Sequence, residues 1–165
     1  MSTGPFNPST TGMRPAYSVL SILSSLSVIG ALALVGLGAA HSSFRTFATG
    51  DAVLLFATVT YSSMVAVGLV WLHRSWSVIP TELRGGRNPT EVFLLLVPGY
   101  NLYWMFAYNH ALARATARAV GRPMPPSVAN AATFAGILQL VPLLNVLVAP
   151  FAWVRFMRQV DSLRS

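Results

Sequence analysis

Apolar residues fall along this chain in four long runs separated by short, arginine-bearing polar breaks. The length of each run predicts a helix that crosses a membrane. The first covers about residues 16–40 and meets no charge before Arg45. At ~1.5 Å of rise per residue, about 22 residues span the ~30 Å hydrocarbon core of a bilayer. A cleaved signal segment ending at Gly38-Ala39-Ala40 is the competing reading. The run exceeds the roughly 7–15 apolar residues of such a segment, which favours a retained helix. The second run, about 52–72, opens with Asp51 as an N-cap after Gly50 and closes with Trp71 and Trp76 as interfacial aromatics. The third, about 91–113, starts at Thr90 and Glu91, where a carboxylate suits the helix dipole. The fourth, about 128–154, follows the breaker Pro123-Met124-Pro125-Pro126 and is capped by Ser127.

Between and beyond these runs the chain is polar. Residues 1–15 are rich in Gly, Pro, Ser and Thr and predict a flexible tail; residues 159–165 form a short second tail. The segment His73–Pro89 reads as an extramembrane loop that rests on the interface through Trp76, Val78, Ile79 and Leu83. The expected fold is all-α, an integral membrane domain at 16–158 with four transmembrane helices in two hairpins. Four crossings place seven arginines on the side of the termini and the 73–90 loop, against four on the other. Basic residues favour the cytoplasmic face. Both termini are therefore expected in the cytoplasm, in a bacterial inner membrane.

Composition agrees with lipid as the solvent. The chain is 54% hydrophobic and 9% charged, with mean hydropathy +0.59, where a soluble domain carries about 25% charged residues. It has no cysteine, which excludes disulfides and thiolate-bound metals. The net charge of +7 comes entirely from arginines standing singly at the edges of apolar runs. That distribution suits anionic headgroups and not nucleic acid.

Two short segments echo each other 44 residues apart: Leu95-Leu96-Val97-Pro98-Gly99-Tyr100-Asn101 and Gln139-Leu140-Val141-Pro142-Leu143-Leu144-Asn145. Each proline lacks the amide that would bond back one turn. Each asparagine can satisfy a freed carbonyl or bond to a neighbouring helix. Kinked helices locked by Asn101, Asn145 and Gln139 are one reading; a mid-membrane transport site at Pro98/Asn101 and Pro142/Asn145 is another. As successive crossings run antiparallel, any true repeat would be inverted. Trp71-Leu72-His73-Arg74, followed by Val97-Pro98-Gly99-Tyr100-Asn101-Leu102-Tyr103-Trp104, resembles small bacterial membrane proteins of domain-of-unknown-function type. Those carry an aromatic-x-x-Arg helix end and a P-x-x-N-L-(W/Y) helix. The resemblance covers about residues 65–115 and implies a membrane hairpin without implying an activity.

Catalytic chemistry is thinly represented. Asp51, Glu82, Glu91 and Asp161 fall at run ends or in loops, and no nucleophile motif or phosphate loop is present. His41 and His110 share one membrane face in the four-span arrangement, so they form a candidate axial pair for haem. No other cofactor and no metal is expected. Small residues at Ser24, Ser27, Ala31 and Gly38, and at Thr58, Ser62 and Ala66, suit close helix packing. The aromatics Tyr100, Tyr103, Trp104, Phe106 and Tyr108 suit a core or a partner surface. Arg114, Arg118 and Arg122, four apart, form a stripe for headgroups or an acidic partner. Together these features predict a non-catalytic accessory subunit or scaffold of a larger membrane complex, with other membrane subunits as partners. A small transporter or channel and a haem- or pigment-contacting subunit are the alternatives.

Overall fold

A computed structural model describes residues 13–41, 44–97, 99–139 and 142–164; most of the expected amino-terminal tail lies outside the described residues. All regular structure among them is helical: α1 (Met13–His41), α2 (Phe44–Ser77), a 3₁₀ turn (Thr81–Leu83), a 3₁₀ helix (Pro89–Leu96), α3 (Tyr100–Ala119), α4 (Pro126–Ile137), α5 (Pro142–Leu147) and α6 (Ala149–Arg164).

Among the described residues, α1 and α2, of 29 and 34 residues, are the two helices long and apolar enough to cross a membrane. They pack antiparallel along their length. Ser21 Oγ lies 3.3 Å from Met64 Sδ, and a Cβ placed on Gly50 would lie 2.9 Å from Val35 Cγ2. On α2 the buried face is Ala57, Thr60, Met64, Gly68 and Trp71. The expected stripe of Thr58, Ser62 and Ala66 is exposed, whereas Ser24, Ala31 and Gly38 of α1 are buried. Asp51 is not an N-cap, since α2 already starts at Phe44 and carries it exposed within the helix. A single helical glycine costs about 1 kcal/mol, too little to stop so long an element, and at Gly50 the missing Cβ lets α1 close in.

The third expected span does not run through. Tyr108 Oη donates to the Pro89 carbonyl at 3.5 Å, although a continuous helix would hold residues that far apart in sequence about 28 Å from each other. The chain instead enters along the 3₁₀ helix and turns at 97–99. It returns along α3. Asn88 caps the entry: its side chain accepts from Thr90 N at 3.0 Å, and Glu91 accepts from Asn88 N at 2.9 Å. Val97, before a proline, is extended (φ −83°, ψ 117°), and Gly99 takes φ 80°, which L side chains rarely adopt.

The fourth expected span also folds back. α4 ends at Ile137, and α5 and α6 return beside it, with Ser127 Oγ donating to Gln159 Oε1 at 3.2 Å. Ser127 is thus an inter-helix contact, and the N-cap position is Pro125. His110 Nε2 and Thr133 Oγ1, 2.9 Å apart, join α3 to α4, where Gly136 lets the Phe106 ring approach. The two units therefore run in the same sense, each from a common base to a tip and back, and not as an inverted pair.

At the base, Trp71, Trp76, Tyr108 and Phe156 are fully buried in one core. Trp71 meets Phe156 edge-on at 6.1 Å, and Trp76 stands 5.1 Å from Tyr108. Trp71 and Trp76 are core residues and not an interfacial belt. Arg84 closes α2 by donating to Ile79 O at 2.7 Å and Ser77 O at 3.0 Å. A clamp then joins three helix ends. Asp161 of α6 lies 3.2 Å from Arg14 of α1 and 3.6 Å from Arg164, whose Nη2 donates to Ser75 O of α2 at 3.2 Å. Burial pushes the Asp161 carboxyl above its ordinary value despite Arg164 and Arg14, and lowers the Arg164 guanidinium to about 10 against the opposing pull of Asp161.

Candidate membrane interface and cavity

The tips reach a definite height on α1. From the Arg14–Asp161 pair to Ser25, whose Oγ donates to Val146 O at 3.3 Å, the helix rises about 16 Å. From Ser25 to His41 it continues for about 24 Å. Along that part of α1 the close approach is from α2, where a Cβ on Gly50 would lie 2.9 Å from Val35 Cγ2. Two helices thus have crossing length, and the contacts that the helical hairpins make with them at Ser25 and Tyr61 fall on their base half.

Exposed side chains on the hairpins sort by height. Leu96, Val97, Tyr103, Phe134, Ile137, Val148 and Phe151 stand near the tips, with Phe93 lower, beside His73 of α2 at 6.1 Å. Arg114, Arg118, Arg122 and Arg158 are exposed nearer the base, and Arg155 is exposed midway along α6, near Phe151. The fold-back also moves charge. Arg14, Arg74, Arg84, Arg87, Arg114, Arg118, Arg122, Arg155, Arg158 and Arg164 now share the base side, and Arg45 alone stands at the far end of α1 and α2. Of the expected stripe, Arg114 and Arg118 lie on α3. Arg122 lies past its end, in a turn where Gly121 takes φ 67° and Arg122 N donates to Ala117 O at 3.0 Å.

Between α1, α2 and the two tips lies a cavity of about 130 Å³. Its apolar wall includes Met64, Leu69, Leu72, Leu95, Met105 and Trp153; its polar groups come from Tyr17, Tyr61, Gln139 and Asn145. Tyr61 Oη donates to Asn145 Oδ1 at 3.4 Å. Two of the echo residues, Gln139 and Asn145, are thereby brought to one site. Pro98 and the side chains of Asn101 and Pro142 lie outside the described residues. The echo marks two chain reversals, and the asparagine that can be followed binds across to α2.

The histidine pair is not assembled. His110 sits against Thr133 and belongs to α3, which runs from the tip back to the base, and His41 ends α1 about 24 Å beyond Ser25, which bonds Val146 of the other hairpin. The His41 side chain itself lies outside the described residues. No cluster of His, Cys, Asp or Glu that suits a metal occurs among the described residues. The expected aromatic group is dispersed: Tyr108 is core, Trp104 carries the Arg87 guanidinium 4.4 Å from its ring centre, Tyr103 is exposed, and the Tyr100 side chain lies outside the described residues.

Sequence reasoning missed Tyr17 and Tyr61 as cavity residues, because nothing in their local pattern separates them from other aromatics on apolar helices. It also missed Asn109, fully buried with neither Nδ2 nor Oδ1 hydrogen-bonded among the described residues. No protein-family model, curated protein or solved structure matches this chain.

Proposed function

We propose that the chain is a non-catalytic protein of the bacterial cytoplasmic membrane, serving as a small accessory subunit or scaffold of a larger membrane complex. α1 and α2 cross the bilayer. The two helical hairpins sink their apolar tips into the inner leaflet and keep their arginine-bearing bases at its headgroups. The observation that carries this reading is the arginine distribution. Four crossings split the arginines seven to four; two crossings with two fold-backs leave only Arg45 on the outer side, a far stronger cytoplasmic bias. α1 alone is about 43 Å long, matching the ~40–45 Å of a bilayer with its headgroups.

The subunit reading follows from the outer half. There α1 and α2 stand as a bare hairpin whose exposed face includes Leu54, Leu55, Phe56 and Val59 together with Thr58 and Ser62. Exposed hydroxyls on an apolar helix suit hydrogen bonds to a neighbouring helix, each worth roughly 0.6 kcal/mol. A monomer of this shape lines no route through the outer leaflet, which disfavours self-contained transport. The test is a mild-detergent pull-down from the native host, comparing the wild type with the triple substitution Thr58→Leu, Ser62→Leu, Ala66→Leu. A partner at equal stoichiometry that is lost in the variant is the expected result. A protein recovered alone, or only with itself, contradicts the subunit role.

A further inference from the structure

We infer that the cavity between α1, α2 and the two tips binds a neutral, ring-sized lipophile bearing a hydrogen-bond-accepting carbonyl. The cavity's chemistry is polar at one wall and uncharged. No charged side chain lines it, so a phosphate or carboxylate finds no counter-ion. Its unused polar groups include three donors. Tyr17 is only 4% exposed, and its hydroxyl makes no hydrogen bond among the described residues although it faces the space. Asn145 accepts from Tyr61 through Oδ1, which leaves its Nδ2 protons to donate, and the Gln139 amide stands at the same wall. A ligand that offers acceptors and carries no charge satisfies these groups.

Size and position narrow the class further. The volume of about 130 Å³ is close to the ~150 Å³ at which an apolar protein cavity holds a single benzene-sized ring. From Gly68, opposite Tyr17, to Tyr61, opposite Asn145, the site runs about 10 Å along α2. Its walls otherwise consist of aliphatic, methionine and tryptophan side chains. Leu96, 58% exposed, belongs both to the lining and to the apolar belt at the tips. The site therefore opens toward the surface assigned to lipid, and a lipophile reaches it sideways from the bilayer. This last point rests on the proposed membrane placement, whereas the recognition chemistry does not.

The shared feature is the carbonyl, and two sources supply it: a quinone ring or the ester of a membrane lipid. Equilibrium dialysis of the purified full chain in detergent micelles separates them. The probes are a decyl-substituted 1,4-benzoquinone, methyl decanoate, and decane as the carbonyl-free control. Saturable binding above micelle partitioning is expected for at least one carbonyl probe and not for decane. Binding of the quinone alone assigns the ring, of the ester alone assigns the lipid, and of both assigns an unselective carbonyl site. Tyr17→Phe keeps the ring and removes one hydrogen bond, so affinity should fall about fivefold. Val65→Phe, which fills the lining, should abolish binding in a protein that still elutes as a single species. If Tyr17→Phe does not fold, Gln139→Leu carries the same comparison. No saturable binding by any probe, equal binding of decane, or unchanged binding by the Tyr17 or Gln139 variant overturns the inference. Because the assay uses no bilayer, its failure is separable from an error in the membrane placement.

Discussion

Removing the Arg164 guanidinium should be the most damaging single change at the base, and undoing its partner should restore most of the loss. The side chain of Arg164 is 4% exposed. It faces Asp161 at 3.6 Å and holds Ser75 of α2 through the carbonyl at 3.2 Å and the hydroxyl at 3.5 Å. Arg164→Met keeps much of the aliphatic stem and deletes those contacts. It leaves a largely buried carboxylate whose remaining cation, Arg14 at 3.2 Å, is 43% exposed and well solvated. Breaking a buried pair by removing one partner costs about 3–5 kcal/mol, whereas replacing the whole pair with apolar groups is often neutral. With Arg14 still near, the lower end applies, about 3 kcal/mol, or roughly 10 °C in Tm for a chain of this length. The double variant Arg164→Met, Asp161→Leu should recover most of that loss. Thermal unfolding in detergent, followed by circular dichroism, measures both. A single variant within about 1 kcal/mol of wild type, or a double variant worse than the single, would refute the view that this clamp ties α1, α2 and α6 together.

Three further outcomes follow from contacts elsewhere. Gly136→Val places side-chain atoms against the Phe106 ring, already 2.9 Å from a bare Cβ, and should cost about 1–3 kcal/mol in the same melt. Asn109→Leu removes a fully buried amide with no hydrogen-bond partner and should leave stability unchanged or raise it by about 1 kcal/mol; a loss of several kcal/mol would mean that the amide is satisfied by a buried water. Replacing Arg114, Arg118 and Arg122 together with Gln should reduce the anionic lipids that co-purify with the protein, read by native mass spectrometry, without lowering its Tm.

Much of the class of fold can be read from the sequence, and the path of the chain cannot. Hydropathy measures how long an apolar run is, so residues 16–40 and 52–72 point correctly to helices of crossing length. The same measure fails at 91–113 and 128–154, because an apolar hairpin that enters and leaves one leaflet has the composition of a single crossing. The evidence for reversal sits in few residues. Gly99, at φ 80°, lies at one reversal, yet a kinked helix carries the same Pro-Gly pair in its sequence. Only tertiary contacts, such as Tyr108 to Pro89 and Ser127 to Gln159, decide between kink and reversal. Trp71 and Trp76 fail for a related reason: a tryptophan near a helix end looks interfacial until another element, here α6 or α3, covers it. Arg114 and Arg118 are exposed as a stripe requires, and they lie toward the base end of α3, a position that depends on whether the third run turns back. For the site, the P-x-x-N echo locates Asn145 and Gln139 at the cavity, and its donors Tyr17 and Tyr61 emerge only from the packing of α1 and α2.

The side on which Arg122 lies, compared with Ala40, tests the central claim most directly. The chain contains no native cysteine, so Ala40→Cys and Arg122→Cys can each be labelled with a membrane-impermeant maleimide, in intact spheroplasts and in inverted vesicles. Both positions are exposed. Two crossings with fold-back hairpins predict that Cys at 40 reacts in spheroplasts and Cys at 122 only in inverted vesicles. Labelling of both from the same side would restore the four-crossing arrangement and contradict the architecture on which the proposed function rests.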